Sequence, residues 1–492
     1  MCHSRYEVVV SLLARADDLR ERVDQAIGDR LDHLMVNHHR RRLGRIGWLR
    51  ALDAPRGGWA DGEPLPREGN SVDVFVDGTE ALPAVAAAIE SASSHVWLAG
   101  WHFSPELPVR DDGFGVGELL AEASERVDVR VLAWAGAPLP LFHPSRREAR
   151  EMRERLVAGT RITCALDDRE RPMHCHHEKL VIVDGEVAFV GGMDLSLLGG
   201  DRFDDSSHLV RGRIGWHDAT ACVRGPAVAD VASHFVQRWG DVTGDRLEPA
   251  AARAPSGELT VQVVRTVPER IYPSVPRGDF RILESYLRAL RSAERLIYLE
   301  SQFLWSAEVT DVLAGKLREP PRDDFRLVVL LPSHPKNGQE DTRGQLGVLA
   351  DADAGAERFL PCTLWQPGEG SKQVYVHAKI GVVDDRWLTI GSANLNEHSL
   401  FNDTEMNVVC QDEALARAVR LRLWAEHLEC EAAELKGEAT RIVDERWRPL
   451  AEEEFERSRR GEPPGHKLQL LPQVSRRARG VLGPLNGFLV DG

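Results

Sequence analysis

One eight-residue pattern occurs twice. His177-Glu178-Lys179-Leu180-Val181-Ile182-Val183-Asp184 is followed, after six residues, by Gly191-Gly192-Met193-Asp194. His377-Ala378-Lys379-Ile380-Gly381-Val382-Val383-Asp384 is followed, again after six, by Gly391-Ser392-Ala393-Asn394. The two histidines stand 200 positions apart, about one domain length. A duplication this regular restricts the chain to two like halves.

The segments in front of each copy repeat as well. Val72–Val76 predicts a strand, Glu80–Ala92 a helix and His95–Gly100 a second strand. Val261–Val264, Phe280–Ser292 and Leu296–Glu300 repeat that order, and Val129–Trp134 and Leu327–Leu331 add a further strand to each half. Strands alternating with helices predict an α/β fold in each half, with a mainly parallel or mixed sheet covered by helices. The boundaries expected are a helical N-terminal extension and linker over 1–68, a first domain over 69–250, a second over 251–432 and a C-terminal extension over 433–492. In the extension, apolar residues Leu19, Val23, Ile27, Leu31 and Leu34 are spaced as on a helix, and a Gly/Pro-rich linker covers Pro55–Gly69.

Composition narrows the function. Of 492 residues, 62 are Lys or Arg and 77 Asp or Glu, a formal charge of −15, which argues against a nucleic-acid partner requiring a basic face. Seven scattered cysteines show neither a disulfide framework nor a zinc-type pair, which favours a cytoplasmic setting. Met1–Ala14 lacks the basic region and cleavage site of a signal peptide, and no apolar run is long enough to span a bilayer. His174-Cys175-His176 is too tightly spaced for one metal site and has no partner pair in the sequence, so a loop is expected and no metal or cofactor is assigned.

In each copy the His and Lys lie two residues apart at the start of an apolar run, a spacing that puts both on one side of a strand. The glycines after the next strand let the backbone approach what they bind. Two imidazoles and two ammonium groups converging on one phosphate would suffice for phosphodiester cleavage. One imidazole attacks phosphorus and forms a phosphohistidine. The other protonates the leaving alcohol, then deprotonates the incoming water or alcohol. Lys179 and Lys379, with Ser392 and Asn394, would balance the charge on the phosphate oxygens, whereas Asp194, the counterpart of Asn394, would make the halves unequal.

Both copies match the His-x-Lys-x4-Asp signature of the phospholipase D superfamily, and the resemblance covers roughly residues 70–430. It implies two homologous α/β domains packed around one central, metal-free active site. Gly191–Asp205, Trp216-His217-Asp218, Arg224–Val228, Tyr298–Phe303 and Asn394–Ser399 are similar to segments of soluble phospholipases D and cardiolipin synthases. By the same resemblance Asp218 and Glu405 orient His177 and His377 respectively. His177 takes the nucleophile's part and His377 the general acid's, and the near symmetry also admits the reverse. Glu397-His398 stands where the family commonly has an Arg.

Asp184 and Asp384 complete the signature and are expected as salt-bridging supports more than as catalysts. The implied reaction cleaves or exchanges a glycerophospholipid headgroup at a membrane surface, with water or an alcohol as acceptor and no nucleic acid, by an enzyme that is cytoplasmic or peripheral on the membrane. Phosphatidyl transfer to a cardiolipin-type product, a nuclease on the same scaffold, and an inactive lipid-binding protein are the competing readings. The basic stretches His38–Arg50 and Arg476–Arg479 are either headgroup contacts or solvated faces. Trp101, Phe103, Phe303 and Trp305 either line a substrate channel or pack in the core.

Overall fold

The computed structural model describes residues 26, 28, 30 and 32–471, apart from 111, 139–141, 173, 199–207, 209–214, 249–252 and 336–338. The helical spacing through Leu19, Val23, Ile27 and Leu31, the last part of Gly191–Asp205, and the basic stretch Arg476–Arg479 lie outside the described residues.

The first half supplies β1 (Arg67–Val76), β2 (His95–Gly100), β3 (Asp128–Trp134), β4 (Thr163–Asp167), β5 (Leu180–Val183), β6 (Val187–Gly191), β7 (Gly215–His217) and β8 (Ala219–Arg224). The second supplies β9 (Leu259–Val267), β10 (Asp279–Phe280), β11 (Leu296–Glu300), β12 (Arg326–Leu330), β13 (Phe359–Trp365), β14 (Gln373–Val376), β15 (Ile380–Val383), β16 (Trp387–Gly391), β17 (Glu405–Cys410) and β18 (Leu468–Leu470). The first sheet runs β4-β3-β2-β5-β6-β8-β1, parallel across β4-β3-β2 and antiparallel beyond. The second runs β13-β12-β11-β15-β16-β17-β9 with the same alternation of sense. The duplication read from the motifs thus extends to the whole sheet order.

Both faces of the motif strands are covered, which is why they read as unbroken apolar runs. Along β5, Leu180 and Ile182 enter a central core shared by the two halves, while Val181 and Val183 pack under the outer helices of the first half. Ile380, Val382 and Ile390 meet the same central core from the other side, together with Trp239 of helix Val228–Thr243 and Trp424 of helix Glu413–His427. The two sheets therefore face each other across one core.

Among the described residues, three strand contacts stitch the halves together. β1 pairs with β9 at Arg67↔Val261, β7 lies parallel to β14 at Tyr375↔Trp216, and an isolated bridge joins His176 to Thr404. The segment following the second domain returns to it, because β18 adds antiparallel to β13 at Cys362↔Leu470.

Residues 32–46 are helical, and the stretch expected as a linker is packed rather than extended. Leu43, Ala51, Ala54 and Ala60 are buried with Ile282, Leu283 and Tyr286 of helix Arg281–Ser292. Gln262 binds both the N–H and the carbonyl of Ala60. Part of the basic stretch His38–Arg50 turns inward as well. Arg42 binds Glu269 and the Phe401 carbonyl, and His39 pairs with Glu308 at 2.7 Å while stacking on Phe401. Among the described residues, no helix is long and apolar enough to cross a membrane.

Candidate active site

His177 and Lys179 lie just before β5, and His377 and Lys379 just before β15. All four are about nineteen-twentieths buried or more. The backbone of each histidine is tied to the opposite half. His177 N–H donates to the Thr404 carbonyl at 3.0 Å, and His377 N–H donates to the His217 carbonyl at 2.7 Å. Each lysine turns its ammonium back to the carbonyl of its own histidine, so the two-residue spacing ties each cation to the backbone of its motif histidine. Lys179 also pairs with Asp194 at 3.3 Å.

The imidazoles are oriented across the interface. His177 Nδ1 lies 2.9 Å from Glu405 Oε1, and His377 Nδ1 lies 2.6 Å from Asp218 Oδ2. This reverses the assignment that the resemblance implied, in which Asp218 served His177 and Glu405 served His377. The physical reason is the interlocking of the halves. Glu405 starts β17 immediately after the residue bridged to His176, and Asp218 follows β7, which is paired to the strand leading into His377. Each carboxylate is thereby delivered to the other half's histidine, and bonding at Nδ1 leaves Nε2 as the nitrogen aligned for chemistry.

The two carboxylates sit in different surroundings. Glu405 is fully buried, and burial pushes its carboxyl up to about 8, with Lys179 pulling in the opposite direction. It also accepts hydrogen bonds from the hydroxyls of Ser399 and Ser392. Asp218 accepts the N–H of Ala219 at 2.8 Å and the Trp216 indole N–H at 3.4 Å. The Trp216 ring packs 5.0 Å from that of His377 and stacks on Tyr375. Gly192 makes room for this arrangement, since a Cβ there would stand 2.2 Å from Asp218 Oδ1.

The three residues expected on phosphate differ in what they hold. The Ser392 hydroxyl is engaged by Glu405 and by the Met406 N–H, so it acts on the site through Glu405. Asn394 makes a reciprocal pair with Gln302, accepting its N–H and donating to its side-chain carbonyl, both at 3.3 Å, and Gln302 continues to the Tyr375 hydroxyl. Asp194 faces Lys179, consistent with unequal halves. His102, the counterpart of Gln302, was not singled out from the sequence. It is buried, and burial pushes its imidazole down to about 4, leaving it neutral. Its signal was its place in the repeat, Trp101-His102-Phe103 against Ser301-Gln302-Phe303.

Among the described residues, Asp184 and Asp384 form no ion pair, contrary to the salt-bridging expectation. Asp184 accepts the N–H groups of Ser93, Ser94 and His95 at 2.7–2.9 Å, and Asp384 those of Glu294, Arg295 and Leu296 at 2.7–2.8 Å. Each gathers the turn that launches the neighbouring strand, at the end of its own strand remote from the imidazole. A carboxylate satisfied by three backbone donors has no need of a cation.

His174-Cys175-His176 is a loop, as expected, but the second half brings partners to it. His174 Nδ1 lies 3.0 Å from His398 Nδ1 and 3.4 Å from Asp403, which also accepts the Cys175 N–H. His398, where an Arg is common, thus supports the first motif. Trp101, Phe103, Phe303 and Trp305 are all buried, which favours the core reading.

A duplicated α/β fold whose two histidines are each oriented by the opposite half defines the class of protein. Residues 286–425 match the family model described as a cardiolipin synthase, phospholipase D-like domain. Phospholipase D A of Dictyostelium discoideum is 27% identical over 461 residues, covering 74% of this chain and 36% of that protein. Phospholipase D alpha 4 of Arabidopsis thaliana is 26% identical over 498 residues, covering 72% of this chain and 64% of that protein. The crystal structure of phosphatidylserine synthase from Haemophilus influenzae Rd KW20 has the same fold, with a TM-score of 0.52 at 11% identity over 84% of this chain and 98% of that one. The chain spans between about a third and two thirds of the length of these two curated relatives. Residues 286–425 thus match a phospholipase D-like domain, and the chain is similar to phospholipases D over about three quarters of its length.

Proposed function

We propose that the chain is a phosphodiesterase or phosphatidyltransferase that cleaves or exchanges the headgroup of a glycerophospholipid through a phosphohistidine. The observation that carries this reading is the pair of buried imidazoles, each with its Nδ1 on a carboxylate supplied by the opposite half. In such a pair one Nε2 attacks phosphorus as the bond to the headgroup oxygen breaks, and the other imidazole passes its proton to that oxygen. The second imidazole, now neutral, takes the proton of an incoming water or alcohol, which displaces the histidine from phosphorus. Lys179 and Lys379 stand beside the imidazoles, where positive charge best offsets charge developing on phosphate oxygens in a buried site.

We assign the attack to His177 and proton transfer to His377. Water gives phosphatidic acid, and an alcohol such as phosphatidylglycerol gives a cardiolipin-type product from the same intermediate. The substrate is met at a membrane surface by a peripheral, cytoplasmic protein. The test is incubation with phosphatidylcholine and phosphatidylglycerol liposomes, with and without added primary alcohol, followed by acid quenching. Headgroup release, a product that changes with the alcohol, and acid-labile phosphate lost in His177→Ala are expected. Cleavage of DNA without turnover of either liposome would replace this reading with the nuclease. Undiminished turnover in a His177→Ala, His377→Ala double variant would place the reaction elsewhere.

A further inference from the structure

Behind His377 lies a second cluster that the reaction does not use. Asp77 directly follows β1, His208 precedes β7 in the chain, His217 closes β7, and Glu426 lies in helix Glu413–His427. The first three are 0–1% exposed, and the Glu426 side chain is 9% exposed. His208 Nε2 is 3.0 Å from Asp77 Oδ2 and 3.6 Å from Glu426 Oε1. His217 Nδ1 is 3.1 Å from Asp77 Oδ1 and 3.4 Å from the same Glu426 oxygen. All four groups present one ligand atom within 4.8 Å of every other.

Two features separate this from a knot of ion pairs. Among the described residues, Asp77 Oδ2, His208 Nε2, His217 Nδ1 and Glu426 Oε1 are each buried without a hydrogen bond of acceptable geometry, despite their closeness. Four buried polar atoms that converge on one point without aiming at one another are arranged for something at that point. The separations also fit, because ligands at about 2.0–2.1 Å from a tetrahedral ion stand about 3.3 Å apart. His217 has a further mark of a ligand. Its other nitrogen, Nε2, is 2.9 Å from Glu300 Oε2, and donation there turns the Nδ1 lone pair toward the two carboxylates. That contact is relieved by a proton on Nδ1 or by a metal ion between the groups, and a carboxylate behind the remote nitrogen is the usual support of a metal-bound imidazole. Asp77 and His208 hold left-handed backbone conformations, with φ of 63° and 47°, a cost that non-glycine residues bear where their surroundings fix them.

We propose that Asp77, His208, His217 and Glu426 bind one divalent transition-metal ion, zinc by ligand set and geometry, as a structural site. The four protein ligands close the coordination shell, so the ion takes no part in phosphoryl chemistry. Its effect is positional. Asp77 Oδ1 accepts the N–H of Asp218, Asp77 N–H donates to the Asp218 carbonyl, and the His217 carbonyl holds the N–H of His377. The ion fastens the first half to the last helix of the second, directly behind the Asp218–His377 pair.

The test is elemental analysis of the full chain, purified from zinc-supplemented cells and desalted. Close to one zinc per chain is expected, and Glu426→Gln and His208→Ala should each lose it. Cobalt added to metal-stripped wild-type protein should give the intense visible absorption of tetrahedral coordination, and zinc should bleach it. Zinc should also raise the melting temperature of stripped wild-type protein but not of Glu426→Gln. Wild-type protein that holds less than about a tenth of an equivalent of any transition metal and gives no cobalt band would overturn the proposal, leaving imidazolium–carboxylate pairs in its place. Unchanged metal content in both variants would overturn it equally. The cobalt titration needs only wild-type protein, so it decides the matter even where the variants fail to fold.

Discussion

His177 and Glu405 are 228 residues apart in the chain and 2.9 Å apart in space, and the contact joins the motif histidine of one half to a carboxylate of the other. His377 and Asp218, 159 residues apart, form the reciprocal contact. The crossed arrangement means that each histidine takes its carboxylate partner from the opposite half.

The crossing assigns a distinct defect to each carboxylate. Glu405→Gln should slow formation of the phosphohistidine, and Asp218→Asn should slow both its formation and, more strongly, its breakdown, each by about 10²–10⁴-fold through loss of the correct imidazole tautomer. Rapid acid quenching checks this. Asp218→Asn should accumulate acid-labile phosphate while Glu405→Gln should not, and the opposite pattern would exchange the roles of the two histidines.

Burial holds the Glu405 carboxyl up to about 8, so below that pH the Glu405–His177 pair carries one proton more than attack requires. Phosphohistidine formation should therefore rise with pH through about 8, and Glu405→Gln should flatten the rise. Stability moves the other way. A carboxyl raised in the folded state, from an ordinary value of 4.5, stabilises most below that value, and the contribution is lost as pH rises through the folded value. Thermal unfolding measured from pH 5 to pH 9 should show this decline in the wild type and a shallower one in Glu405→Gln.

The signature aspartates should behave as structural groups. Removing three charge-assisted bonds in Asp184→Ala or Asp384→Ala leaves the N–H groups of these partly exposed turns to water and should cost about 1–3 kcal/mol in chemical denaturation. The folded fraction should retain most of its turnover. A variant of full stability and no activity would return these residues to the catalytic machinery.

Gly192→Ala should separate positioning from folding. The new methyl would stand 2.2 Å from Asp218 Oδ1 and 3.2 Å from the His377 carbonyl, so Asp218 must move. Turnover should fall about 10²-fold, as expected when a catalytic group shifts by about an ångström, while circular dichroism stays native. Wild-type kinetics would show that the Asp218–His377 contact tolerates displacement.

Local pattern carried far along this chain. His95–Gly100, Leu296–Glu300, Leu180–Val183 and Ile380–Val383 are strands with the limits their apolar runs predict, because a strand covered on both faces leaves an uninterrupted apolar signature. The motif histidines and lysines were legible for the same reason. Spacing of two residues at a strand's start is a local instruction.

What the sequence by itself determined was the duplication, the strands that carry each motif and the placing of a histidine and a lysine at the start of each, all of which depend on neighbours within a few positions. Only the tertiary structure decided which carboxylate serves which histidine, and that Asp77, His208, His217 and Glu426 converge. Two near-identical halves offer two equally readable pairings. The choice between them is made by β7 on β14 and by the His176–Thr404 bridge, long-range contacts whose register no local periodicity encodes.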